Sequence, residues 1–417
     1  MKRRFLVFFF ATIELPVFFI IAIFMRLLRL VERDVSEYKV FWGTEPLLNS
    51  HYWADATQTI FSQSIFAIRH PSRILSEEKA DLVIFNQQEP HHLLPRIIFH
   101  IRENIKFTIF TFRILRNASL LCYSCEGFLF QYYTIWGFSY RVEFFLWKIA
   151  GIKVAIFPYG YDSYVYSKVA NRDWLYGLLT DYPDAAKNQD FIDRRLKFFI
   201  RRADLFLPGS AMFDGMGRSD WITPSTLCID TTYWSPIENK QSRIFTVSHA
   251  PNHRAVKGTK YVIDAIEMLK ESGHLVTLRL IENVDNQEVQ KILATESDLH
   301  VDQLFADGYG LNALESMSLG IPTISNFQGA TRDFFDRWTF TKDCPIVVCS
   351  ETELAQTIRS LMNNKEELRE IGRLSREYVL SHHSYHSFSK NFHNALVTRD
   401  QRYAKFSRLY GKEIKSA

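Results

Sequence analysis

The segment DGYGLNALESMSLGIP, from Asp307 to Pro322, holds the residue types best suited to chemistry in this chain. Gly308 and Gly310 flank Tyr309 just before a helical pattern over residues 311–319, which Gly320 stops. Glycines at such a place let a ligand approach the backbone. A helix start also offers N–H groups and the positive end of a dipole to an anion. Leu311 and Asn312 open that helix, and Glu315 falls about one turn inside it, where a carboxylate can accept from two vicinal hydroxyls beyond a bound phosphate. Roughly fifty residues earlier, in HAPNHRAVKGT, Arg254 and Lys257 lie three apart, between an apolar run and a helical pattern. Two cations so spaced can face one anion and can neutralise the charge growing on a diphosphate leaving group. A structural turn would account for either motif alone; the two in this order within one α/β domain point to a phosphate site.

The surrounding pattern supplies elements to position them. Continuous apolar runs at residues 38–42, 80–85, 107–112, 152–157 and 205–207 read as strands buried on both faces, with helical stretches such as 191–202 between them. A polar stretch, 233–243, reads as a linker. A second alternation follows, with strands at 243–248, 275–281, 303–305 and 321–325 and helices at 258–271, 287–295, 311–319, 352–363 and 365–382. The expectation is an α/β chain of two doubly wound Rossmann-like domains facing a cleft. The divisions are an N-terminal anchor helix at 1–34, an acceptor-side domain at 35–237, a nucleotide-sugar domain at 238–383, and a final helix and tail at 384–417 that returns toward the first domain.

The Asp307–Pro322 stretch resembles the signature of GT-B fold glycosyltransferases, in particular the large retaining family 4 group. That signature is an acid, Gly-aromatic-Gly, a Glu eight positions after the acid, a small residue, Met, Gly and an apolar-Pro pair, and the chain departs from it in having Asp307 where Glu is usual. The resemblance implies that Asp307 contacts the transferred sugar and Glu315 the nucleotide ribose. It further implies that Arg254 and Lys257 take the diphosphate and that Gly308, Tyr309, Gly310, Leu311 and Asn312 line the donor site. DTTYWSP at 230–236 is similar to the stretch that ends the first domain in this group. PYGYD at 158–162 stands where many relatives carry His-Gly-x-Asp, with Tyr159 in place of the His. Asp162 is therefore a second catalytic candidate, and equally a loop cap. His91, His92 and Gly43 are further candidates facing the cleft. The resemblance extends over about residues 38–395. It implies a nucleotide-diphosphate sugar as co-substrate, without a cofactor, and retention of configuration; no Asp-x-Asp stands at a strand end, so a metal-independent reaction is expected. An epimerase on the same fold and a catalytically silent nucleotide-sugar-binding subunit are the alternatives.

Composition bounds the partners. The chain has 417 residues, 50 Lys+Arg against 46 Asp+Glu, and 23% charged residues, which excludes a disordered or collagen-like chain and gives no field for nucleic acid. Five cysteines are an odd number for a disulfide framework, and Cys122-x-x-Cys125 lacks a second pair, so buried, reduced thiols are expected. The 35 phenylalanines suggest apolar surface beyond what one core needs. Residues 5–25 are apolar except for Thr12, Glu14 and Pro16, and are flanked by Lys2, Arg3 and Arg4 before and Arg26, Arg29 and Arg33 after. This reads as a membrane anchor, either spanning, with Glu14 near mid-bilayer, or interfacial and broken at Pro16. A lipid-linked or glycan acceptor follows, with the catalytic part on the cytosolic side where nucleotide sugars are made.

Overall fold

The computed structural model describes residues 13–29, 34–71, 79–85, 92–130, 139–160, 162–169, 171–208, 220, 226–237, 244–327 and 343–398, with two short stretches at 406–407 and 412–413. The chain forms two compact units. The first is made from residues 1–162, 195–207 and 392–400; the second from 163–194, 208–391 and 401–417.

Unit 1 is built on a parallel sheet of β1 (Lys39–Thr44), β2 (Gln63–Ile68), β3 (Leu82–Val83), β4 (Leu120–Tyr123), β5 (Lys153–Ile156) and β6 (Leu205–Phe206). The order is β3-β2-β1-β4-β5-β6, the doubly wound arrangement. Its strands are apolar at successive positions because both faces are covered. In β1, Val40, Phe41 and Trp42 are all buried. Part of the phenylalanine excess goes into the core, where the Trp42 ring lies 6.0 Å from Trp53, 5.2 Å from Phe157 and 5.5 Å from Phe392. Gly43 holds φ +127°, and a Cβ there would collide with the Ala67 carbonyl of β2. Strand packing therefore already requires a glycine at that position.

One expected strand is a helix. Residues 107–112 lie inside α3 (Leu93–Asn117), and the strand that follows is β4. Other helices of this unit are α1 (Leu15–Leu28), α2 (Leu48–Ala56) and α4 (Ser139–Ile149). The apolar run at 107–112 hides helical periodicity because outward positions of α3 are apolar as well as inward ones. α1 packs on α3 through Phe18, whose ring sits 5.2 Å from Phe112. The Glu14 carboxylate accepts from Asn104 (2.8 Å) and Thr108 (2.9 Å) of α3. At the other end Arg29 donates to the carbonyls of Leu115 and Ala150. Pro16 is the second residue of α1. Among the described residues no helix is long and apolar enough to cross a membrane; residues 1–12 of the expected anchor lie outside them.

Unit 2 carries a parallel sheet of β7 (Phe245–His249), β8 (Val276–Leu280), β9 (Leu299–Val301) and β10 (Thr323–Ile324), in the order β10-β9-β7-β8. Its helices include α5 (Arg172–Asp181), α6 (Arg254–Lys257), α7 (Thr259–Glu271), α8 (Asn286–Glu296), α9 (Leu311–Ser318), α10 (Leu354–Asn363) and α11 (Lys365–His382). The core joins Val247, Val301 and Ile324 of the strands to Val262 and Ile266 of α7 and Ile358 of α10. The strand expected at 303–305 is instead β9, four residues earlier. His300 conceals it as a polar residue in a fully buried strand, tolerated because Ser248 bonds its Nδ1 at 2.9 Å. Residues 231–234, which run into the expected linker at 233–243, are pinned: Trp234 is buried, and Arg376 donates to the carbonyls of Thr231 and Trp234. The chain runs from β7 to β8 on one side and returns to β9 on the other. The β7/β9 boundary is thus a topological switch point, beyond whose carboxyl ends such sheets bind ligands.

Candidate functional site

The loops after β7 and β9 meet at that switch point. After β7 the backbone makes the single turn of α6, and Gly258 (φ +71°) ends it in the left-handed region that favours glycine. This turn aims Lys257 inward, while Arg254 stays exposed. Lys257 Nζ donates to Asp302 Oδ1 at 2.6 Å and to Gln303 Oε1 at 2.9 Å. The other oxygen of Asp302 accepts from the Gly310 amide at 2.8 Å. Burial opposes the Asp302 charge, but the Lys257 ammonium, its hydrogen bond and the Gly310 amide together hold the carboxyl below its ordinary value. Arg254 grips Glu282 through both Nε (2.8 Å) and Nη2 (2.5 Å).

The expected glycine amides are engaged inside the protein. Gly308 N–H donates to the Asn326 carbonyl at 2.7 Å, and Gly310 N–H to Asp302. What the segment presents to an anion is the start of α9. Its first intrahelical donor is Leu314, bonded to the Gly310 carbonyl, so the amides of Leu311, Asn312 and Ala313 have no acceptor within the helix. Gly308 holds φ +87°, which sets the turn. The Tyr309 side chain faces the core: its hydroxyl lies 3.0 Å from His383 Nε2 and 3.1 Å from the Tyr378 hydroxyl. Tyr309 therefore anchors the turn through its ring.

Glu315 is buried one turn into α9. One carboxylate oxygen accepts from Asn286 (3.0 Å) at the start of α8, the other from Asn312 (3.0 Å). Lys257, Gly310, Asn312 and Glu315 thus form one chain of neighbours around the start of α9. Asp307 accepts from Asn171 Nδ2 at 2.9 Å. Asn171 also caps α5, its side-chain oxygen accepting from the amides of Asp173 and Trp174. α5 in turn fixes the basic loop: Asp181 accepts from the Val256 amide at 2.8 Å, and the Tyr182 hydroxyl lies 2.9 Å from His253 Nδ1.

His249, at the end of β7, donates from Nδ1 to the Val301 carbonyl, which leaves Nε2 to accept from Thr259. Burial pushes its pKa down to about 4 and that of His300 to about 3.

In unit 1, Asp162 is fully buried and serves the loop. It accepts from the amides of Tyr159 (3.1 Å), Gly160 (2.9 Å) and Cys125 (2.9 Å), and burial raises its pKa to about 6 despite them. Cys122 and Cys125 are free, buried thiols that burial pushes up in pKa. His92 precedes α3 and is exposed, and His91 lies outside the described residues.

Sequence reasoning missed Asp302, Glu282, Asn286 and Asn171. Asp302 was legible as an acid at a strand end, had the strand been placed at 299–301. Asn171 left no signal, since it reaches Asp307 across 136 residues.

No family model matches this chain, and no curated protein does. Among solved structures, Anabaena Alr3699/HepE in complex with UDP and glucose is 11% identical, covering 86% of this chain and 99% of that one with a TM-score of 0.59. The UDP-glucose complex of the same protein gives 10% identity, 86% and 99% coverage and a TM-score of 0.50. At such identities the likeness is one of fold, and the chain has the GT-B fold of glycosyltransferases.

Proposed function

We propose that the protein is a glycosyltransferase that moves a sugar from a nucleotide-diphosphate sugar to a lipid-linked or polysaccharide acceptor, with retention of configuration and without a metal. The observation that carries this reading is the grouping of Lys257, Gly310, Asn312 and the buried Glu315 at the switch point of unit 2, in the order the resemblance requires. Alr3699/HepE, of the same fold, was crystallised with UDP and with UDP-glucose.

In this reading the diphosphate rests on the Leu311 and Asn312 amides, with Lys257 and Arg254 supplying positive charge. Arg254 is exposed, so exchanging Glu282 for a phosphate costs it little. Glu315, already ordered by Asn286 and Asn312, accepts from the ribose hydroxyls, and Asp307 lies against the transferred sugar. As the glycosidic bond breaks, the nucleoside diphosphate departs with the bonding pair and Lys257 and Arg254 stabilise its added charge. The acceptor hydroxyl attacks the oxocarbenium-like carbon on the face the diphosphate leaves and passes its proton to the departing phosphate oxygen. Residues 1–34 attach the protein to the cytosolic face of a membrane, in surface-glycan assembly.

The test is turnover of nucleotide sugars with and without acceptor lipid, alongside calorimetric binding of nucleoside diphosphates to the wild type and Glu315→Ala. Acceptor-dependent release of nucleoside diphosphate, and binding weakened at least tenfold in the variant, are expected. Conversion of the sugar nucleotide without acceptor would mark an epimerase. Equal binding by both proteins would remove the site.

A further inference from the structure

The apolar surface of unit 1 extends beyond the N-terminal segment. In α3 the side chains advance ~100° per residue, which places Ile98, Ile101, Ile105 and Ile109 on one ridge. All four are exposed, and the ridge lies opposite the buried positions Glu103, Phe107, Phe110 and Ile114. One flank of the ridge meets α1 through Asn104, Thr108 and Phe112. The other carries Arg102, Lys106 and Arg113, with Arg116 beyond the last isoleucine. α1 shows the same design, with Val17, Ile20, Phe24 and Leu27 exposed on the side away from the buried Phe18 and Ala22.

A soluble helix turns such residues toward a core. Here two neighbouring helices turn them outward, and the carboxylates of this region are turned inward. The side chain of Glu103 is 1% exposed and pairs with Lys106, and Glu14 is bonded to α3. The outward surface is therefore apolar and cationic together.

We propose that α1 and α3 form one binding face for an anionic bilayer, with the isoleucine ridge of α3 at the boundary between headgroups and acyl chains and the arginines among the phosphates. Charge selects this occupant. An antiparallel two-fold packing of α3 on the α3 of a second copy would bring the arginine flanks together, whereas anionic headgroups complement them. An interfacial helix of this composition lies in the membrane plane, with its basic side chains reaching up to the headgroups. The inference rests on the membrane attachment in the proposed function and is independent of its donor site.

The test is flotation of the full chain with vesicles of phosphatidylcholine alone or with about one-third phosphatidylglycerol. Binding to the anionic vesicles at least tenfold tighter than to the neutral ones is expected. The double variant Ile101→Glu/Ile105→Glu should lower that binding at least tenfold, with its thermal transition and nucleoside-diphosphate binding retained because both positions are exposed. Arg102→Ala/Arg113→Ala should erase most of the preference for anionic vesicles. Equal flotation of the isoleucine variant and the wild type would overturn the role of α3 and leave residues 1–34 as the attachment. A wild type that ignores vesicles but forms a dimer broken by the isoleucine variant would show the face to be a contact between copies.

Discussion

Replacing Lys257 with alanine tests the centre of the site. The change removes an ammonium 2.6 Å from Asp302 Oδ1 and 2.9 Å from Gln303. The Asp302 side chain is 1% exposed and that of Lys257 11%, so the carboxylate left behind is a buried one. Leaving one member of a buried pair uncompensated costs about 3–5 kcal/mol. Asp302→Asn in the same chain removes the stranded charge, so the two losses should not add, and a coupling of about 2 kcal/mol is expected. Urea unfolding followed by circular dichroism reads both effects. Acidity gives an independent sign. In the wild type Asp302 titrates below its ordinary value, so its contribution is present above that value and is lost as pH falls through the folded pKa. Without Lys257, burial acts with less opposition and raises the carboxyl, so the single variant should regain stability relative to wild type as pH falls toward the ordinary carboxylate range. Nucleoside-diphosphate binding should remain weak in the double variant, because the cation is still missing; this separates fold from function. An alanine variant that unfolds at the wild-type urea concentration, or a double variant whose losses simply add, would refute the reasoning.

Acid should weaken unit 2 through its buried histidines. His249, His300 and His383 have folded pKa values pushed by burial to about 4, 3 and 3, below the unfolded value, so stability is full above about pH 6.5 and falls as pH drops. At pH 5 each contributes a loss on the order of 2 kcal/mol, and identical urea midpoints at pH 7.5 and 5 would contradict this. Asn171→Ser keeps an N-cap for α5 but loses the amide on Asp307. Near-wild-type stability with turnover at least tenfold lower is expected, and unchanged kcat would free Asp307 from dependence on Asn171. Gly308→Ala forces a side chain to φ +87° and should cost about 1–2 kcal/mol in thermal unfolding; a neutral substitution would show that the turn relaxes.

The sequence made the alternation of elements legible, and with it both parallel sheets. It misled where side-chain polarity and burial disagree. The run at 107–112 looked like a strand because α3 is apolar on its solvent side as well as its core side. β9 was displaced because a hydrogen-bonded histidine occupies its centre. At the site, cations and carboxylates that act locally could be read from spacing, as with Lys257 and Glu315. Their partners Asp302, Asn286 and Asn171 come from other loops and are defined by the fold alone. The glycines illustrate the same limit: their positions announced a turn, but only the structure shows that the Gly308 and Gly310 amides bond to Asn326 and Asp302.

Residues 163–194 belong to the second unit although they precede the last strand of the first sheet. The two units are therefore not separable by a single cut. A fragment begun at residue 238 would lack Asn171 and Asp181, and with them the support of Asp307 and of the Arg254–Lys257 turn. Expressed alone, such a half would bring along its sheet but misplace the loops at the edge where the donor is expected to sit.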